Sequence, residues 1–129
     1  MAIQNFQLGM RGFCVVRFED DADVTVGDGK VAFTVPSFMD GFDLVEMITS
    51  CHTKGTNGTT DVQVRRRRAG SDVDVLSTKV THGDEFYCSN GIINTSNDDV
   101  ATGDQYYWDV DSARTGMKGL SVVSTFVKP

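Results

Sequence analysis

Proline is scarce in this sequence, and long apolar runs are missing. Two prolines and 13 glycines among 129 residues exclude a collagen-like or linker composition. No apolar run approaches the roughly 18 residues that a membrane-spanning helix needs, so we expect no membrane partner. Residues 1–11 lack a basic stretch followed by an apolar core. We therefore expect no secretory signal, and synthesis in a cytoplasm.

Cysteine is also rare, with three residues in separate segments: Cys14, Cys51 and Cys88. The odd count fits poorly with a disulfide framework, and no Cys-x-x-Cys pair is present for zinc. We expect reduced cysteines that are mostly buried as small apolar side chains, with one exposed thiol as the alternative. The sequence predicts no cofactor.

Basic residues are fewer than acidic ones, 12 against 18, which gives a net charge of −6. Four of the 12 are consecutive, so the rest of the chain would carry −10 without them. A broadly acidic surface repels phosphate backbones. This balance argues against nucleic acid as a partner.

Apolar and polar residues alternate along most of the chain, and turn residues separate the alternating segments at short intervals. Such a pattern predicts strands with one buried face. Residues 42–48 alone also fit a helix, but their β-branched neighbours favour a strand. We predict an all-β fold over residues 1–129: a single-domain antiparallel β-sandwich, jelly-roll-like, with roughly eight or nine strands. The predicted core comprises Phe33, Leu44, Val62, Val64, Leu76, Ile93, Trp108, Val110, Leu120, Val122 and Phe126.

Three turns carry the clearest sequence patterns. Residues 27–29 should separate a strand at 22–26 from one at 30–35. The Asn-Gly pair within residues 55–58 is typical of a hairpin, followed by a strand from Thr60. Residues 69–72 should separate the arginine run from a strand at 73–80.

Catalytic residues are not evident. His52 and His82 are the only histidines, no Gly-x-Ser-x-Gly elbow is present, and both side chains are expected at the surface. The protein is therefore predicted not to be an enzyme.

Clusters of aspartate could offer oxygen ligands to calcium, but none matches the EF-hand loop. Asp98 and Asp99 fit a turn, whereas Asp109 and Asp111 fit the water-facing side of a strand. We therefore predict no metal site.

The run Arg65, Arg66, Arg67 and Arg68 is the most unusual feature. In a strand, Arg66 and Arg68 would lie on the same face as Val62 and Val64. The strand should therefore pass out of the core at these two arginines. Arginine forms bidentate pairs with carboxylates and is enriched at interfaces. We expect these four residues to pair with carboxylates, either within the domain or on a partner surface.

Six blocks in order along about 100 residues resemble a family of small β-rich structural proteins of tailed phages. The blocks are GKVAFTVP (29–36), GFDLV (41–45), GTNGTTDVQVR (55–65), DVLSTK (74–79), INTSNDDVATGD (93–104) and KGLSV (118–122). The chain departs from the family pattern at residues 66–68 and at Cys88. The resemblance implies a jelly-roll-like sandwich with a structural place in a virion, and it supplies no catalytic residues.

Two functions follow from this resemblance. The first is a capsid decoration or cement protein, located on the capsid surface of the virion, that binds the major capsid protein as a homotrimer. Residues 1–9, with Phe6 and Leu8, could then form an N-terminal arm or edge strand that docks on a neighbour. The alternative is a tail-fibre or head-fibre module that binds a receptor or carbohydrate.

An aromatic sugar platform would favour the alternative, and the chain offers one candidate for it. The candidate consists of Tyr106, Tyr107 and Trp108 with the neighbouring Asp109 and Asp111. The competing interpretation makes Tyr106 and Trp108 core residues of a strand.

Overall fold

The computed structural model describes residues 11–17 and 21–129. Over these residues the fold is all-β, with one short 3-10 helix at Ser37–Met39. None of the described residues belongs to a helix that is long and apolar enough to span a membrane. Phe6, Leu8 and the predicted arm at residues 1–9 lie outside the described residues. The strands are β1 (Arg11–Arg17), β2 (Gly27–Thr34), β3 (Asp43–Ser50), β4 (Thr60–Arg68), β5 (Ser71–Asp74), β6 (Leu76–Thr78), β7 (Val80–His82), β8 (Tyr87–Cys88), β9 (Ile92–Ile93), β10 (Gln105–Ser112) and β11 (Ser121–Val127).

Two antiparallel sheets form the sandwich. Sheet I has the strand order β1-β11-β3-β8, and sheet II has the order β2-β10-β4-β5 with β7 also paired to β4. The first four strands alternate between the sheets, and β10 and β11 insert between earlier strands. This eight-strand order is that of a jelly roll, which confirms the predicted fold class. The short strands β6, β7 and β9 bring the described strands to eleven, above the predicted number.

The core lies between the two sheets because the alternating apolar positions of both face inward. In sheet II, Trp108 pairs with Val64 and Val110 pairs with Val62, and all four side chains are fully buried. Nine of the eleven predicted core residues are buried. The other two, Phe33 and Ile93, are half-buried and pack against the core. The sequence pattern therefore placed the strand faces in the correct register.

A two-residue turn fixes the position of the arginine run. Ala69 and Gly70 have φ values of 50° and 78°, and they connect Arg68 to its paired residue Ser71. Positive φ at both central residues is what a type I′ hairpin turn requires, and its twist matches that of the strands. The resulting register sets β5 and its aspartates beside β4.

The strand predicted at 73–80 is instead three short strands, β5, β6 and β7, and the other two turn predictions also need correction. Residues 22–26 form no strand beyond a single bridge from Asp23 to Lys118, and residues 27–29 begin β2. Residues 55–58 do not close a hairpin, because β3 and β4 belong to opposite sheets of the jelly roll. The strand after this loop begins at Thr60 as expected, and residues 43–50 form a strand, not a helix.

Candidate functional site

The outer face of sheet II carries a connected set of charged side chains around Tyr107. Arg65 donates to both carboxylate oxygens of Asp109, at 3.1 and 3.2 Å, and to Asp72 at 2.9 Å. Arg67 donates two hydrogen bonds to the carboxylate of Asp72, at 2.7 and 3.1 Å. The guanidinium carbons of Arg65 and Arg67 lie 4.7 and 5.1 Å from the ring centroid of Tyr107. Both cations are therefore stacked on an aromatic ring and paired with carboxylates.

The other two arginines lie on the opposite face of β4. The Nη1 atom of Arg66 donates to the carbonyl oxygens of Asn97 and Asp99 and to the Asp99 carboxylate, at 2.8 to 3.1 Å. Arg68 binds both oxygens of Asp104, at 2.9 and 2.6 Å, and reaches Asp99 at 3.1 Å. Arg66 is buried and Arg68 is more than one-third exposed, so within the predicted pair the run leaves the core between these two residues.

Each arginine of the run therefore has a carboxylate partner inside the domain, which is one of the two arrangements predicted. Bonds from Arg67 and then Arg65 lower the pKa of Asp72 to about 2. Bonds to Asp104 raise the pKa of Arg68. An external anion would have to compete with these pairs. A role for Arg65, Arg66, Arg67 and Arg68 at a partner interface stays a prediction.

The Asp72 pairs predict a loss of stability in acid. The pKa of this carboxyl is about 2 in the folded protein, below its ordinary value of 3.8, so the ionised form favours folding. This contribution is present above pH 4 and is lost as the pH falls towards 2. Urea unfolding of the wild type and of Asp72→Asn, measured from pH 2 to 6, should show a shallower acid dependence for the variant. Parallel curves for the two proteins would contradict the assignment.

The predicted sugar platform is not assembled. Tyr106 and Trp108 are fully buried, which confirms the alternative interpretation of both as core residues. Asp109 was predicted to face water but is buried, because it accepts bonds from Arg65 and from the Gly29 amide at 2.6 Å. Asp111 does lie at the surface, where it pairs with a lysine.

The prediction that both histidine side chains lie at the surface is half right. His52 is exposed and lies 3.1 Å from Asp21. His82 is fully buried, because it ends β7 on the inward side of sheet II. Its Nε2 lies 2.6 Å from the Glu85 carbonyl oxygen, and its Nδ1 lies 2.8 Å from the Thr49 hydroxyl. A carbonyl only accepts, so Nε2 carries a proton and donates to Glu85.

The thiol of Cys51 lies 3.7 Å from Nε2 of His82. That nitrogen donates to a carbonyl, and burial raises the pKa of the Cys51 thiol. The pair therefore does not activate the sulfur as a nucleophile. Cys88 is buried and unpaired, as expected, and Cys51 is half-buried. Within residues 11–17 and 21–129, no three His, Cys, Asp or Glu side chains are grouped to hold a metal ion.

Two features were missed from the sequence. Arg114, in the loop after β10, is buried and donates to the carbonyl oxygens of Lys54, Gly55 and Gly58. An isolated arginine in a loop gives no pattern that could have revealed this role. The second feature is the pair of exposed aromatic residues Phe86 and Tyr87. Two adjacent aromatic residues beside a predicted turn were the available sequence signal.

Comparison with protein-family models, curated proteins and solved structures finds no match to this chain. The structure itself defines the class as a jelly-roll β-sandwich, and the charged residues on the outer face of sheet II pair with one another.

Proposed function

We propose that this protein is a virion structural protein that decorates the outer surface of a capsid and binds the major capsid protein. The strand order carries this proposal, since the eight-stranded jelly roll is a framework of viral capsid and lectin domains. The blocks that resemble phage structural proteins support it further. Those at 29–36, 55–65 and 118–122 fall on or next to β2, β4 and β11, which are framework strands.

The outer faces of the two sheets differ in a way that favours docking through sheet I. Sheet II is covered by the arginine–aspartate pairs, whereas the outward residues of sheet I include half-buried Ile48, Val123 and Val127, exposed Val45 and Tyr87, and the exposed carboxylate of Glu46. Neutral side chains leave water without the desolvation cost of charges. Apart from Glu46, the described outward residues of β3 and β11 named above are uncharged, so for a chain with a net charge of −6 docking here desolvates fewer charges than docking through sheet II. Assembly as a homotrimer on the shell is part of the proposal and follows from the resemblance.

The first test is where on the particle this protein lies. Labelling of intact and tailless particles with an antibody against this protein should mark the capsid in both preparations. A label that disappears with the tail would reject the decoration role and favour the tail-fibre alternative.

Docking through sheet I predicts a specific effect of Val45→Asp. The side chain of Val45 is half exposed, so the substitution leaves the core intact but places a charge in the proposed contact. Binding to particles stripped of this protein should weaken about tenfold or more. The measurement is occupancy per particle as a function of added protein.

The matched control is Ala32→Asp, at an exposed position on the opposite sheet, which should bind like the wild type. Arg67→Ala in the same assay tests the arginine interface. If Arg67→Ala weakens binding and Val45→Asp does not, docking occurs through sheet II, and the assignment to sheet I is wrong.

A further inference from the structure

The segment between β7 and β9 is held in one conformation from both ends. At its start, the buried ring of His82 donates to the Glu85 carbonyl oxygen at 2.6 Å and is itself held by Thr49. At its end, the side-chain amide of Asn90 accepts from the Thr81 amide at 2.9 Å and donates to the Thr81 carbonyl oxygen at 3.0 Å. A loop fixed in this way loses little conformational entropy when it binds a ligand.

This fixed segment presents two aromatic rings to solvent. Phe86 is 56% exposed and Tyr87 is 71% exposed, although both are large apolar side chains. Together with their neighbours in residues 85–90 they line an open concavity of about 520 Å³. The amino group of Lys54 lies 5.0 Å from the centroid of the Phe86 ring. Adjacent exposed aromatic rings on a rigid segment mark a binding surface more often than a chance exposure.

Polar groups lie beside the rings. Glu85 and Ser89 are exposed and line the same concavity, so a carboxylate and a hydroxyl are available beside the aromatic surface. The carboxylate accepts hydrogen bonds, and the hydroxyl both donates and accepts them. Aromatic surface flanked by a few polar groups is the usual composition of a small-ligand site.

We propose that the concavity at residues 85–90 binds a neutral saccharide. One face of a pyranose ring carries C–H groups that pack against the electron-rich face of an aromatic ring, as the ring quadrupole favours. The sugar hydroxyl groups would then bond to Glu85 and Ser89. The ligand is neutral because Lys54 is already paired with Asp84 at 3.7 Å, and the chain as a whole is acidic. Because Tyr87 also lies on the outward face of sheet I, this site is open in the free protein, and docking through that face would cover it.

The test is titration of the purified full-length protein with the methyl glycosides of glucose, galactose, mannose and N-acetylglucosamine, followed by NMR. At least one should bind in the millimolar range and shift the signals of residues 85–90. Tyr87→Ala should weaken that binding about tenfold or more, whereas Tyr87→Phe should retain it because the ring is kept. Phe38→Ala is the matched control, since Phe38 is 62% exposed, close to the 71% of Tyr87, but lies on the 3-10 helix.

Three results would overturn the proposal. They are no shift with any of the four glycosides, shifts confined to residues outside the concavity, and equal weakening by Tyr87→Ala and Phe38→Ala. The high exposure of Tyr87 means that its substitution leaves the fold intact, which thermal melting of each variant checks. Particle occupancy is measured separately, so failure of this site does not affect the capsid proposal.

Discussion

Replacing Asp109 with alanine is expected to lower the free energy of unfolding by about 3 kcal/mol. The side chain of Asp109 is 9% exposed and accepts two bonds from Arg65 and one from the Gly29 amide. Its loss leaves a half-buried amide without its acceptor and removes one of the two carboxylates that pair with Arg65. Urea and thermal unfolding should both show the decrease, with a melting temperature lower by roughly 10 °C.

Asp111→Ala is the matched control because it lies two residues further along the same strand. Asp111 pairs with Lys79 at 2.8 Å, but both side chains are substantially exposed. Exposed pairs of this kind contribute less than about 1 kcal/mol. Equal losses of stability in the two variants would show that burial of Asp109 does not determine its contribution.

Arg114→Ala is expected to destabilise the fold by about 3 kcal/mol as well. Its guanidinium donates to the carbonyl oxygens of Lys54 and Gly58 at 2.9 and 2.7 Å, and more weakly to Gly55. Without it, these carbonyls lose their donors, and the buried volume of the guanidinium is left empty. The loop is also tightly packed, since a Cβ at Gly55 would lie 2.4 Å from the Thr115 carbonyl oxygen.

Lys54→Ala provides the control for this second variant. Lys54 and Arg114 both approach Asp84, at 3.7 and 3.5 Å, but Lys54 is more than one-third exposed and Arg114 is not. Lys54→Ala should therefore change the stability by less than about 1 kcal/mol. An Arg114→Ala variant that unfolds at the same urea concentration as wild type would mean that the loop does not depend on this side chain.

The all-β class and most of the core were predictable because both depend on local alternation. A strand with one buried face repeats every two residues, so Val62 and Val64 on β4 and Trp108 and Val110 on β10 were assigned to the core without knowledge of their partners. The start of β4 at Thr60 was likewise marked by a nearby turn sequence. These features need no information about distant parts of the chain.

The candidate site was less predictable because its contacts join distant segments. Asp109 and Asp111 occupy equivalent positions in the alternation, yet only Asp109 meets Arg65 and Gly29, which are 44 and 80 residues away in sequence. His82 was assigned to the surface because a glycine follows it. It is buried because β7 forms an additional strand beside β4, a pairing that its three residues do not indicate. The pairing of the arginine run was predicted, but not which carboxylates would provide it.

The position of β11 also determines when sheet I can form during synthesis. This strand lies between β1 and β3 and pairs with both. In the ladder with β1, Arg11 lies opposite Val127, and in the ladder with β3, Ser50 lies opposite Ser121. On the ribosome, β1 and β3 must wait for β11 before their ladders can close. Contacts this distant in sequence fold slowly, and unpaired strands are open to aggregation in the meantime. β1 and β3 therefore stay without this neighbour until β11 has emerged from the ribosome.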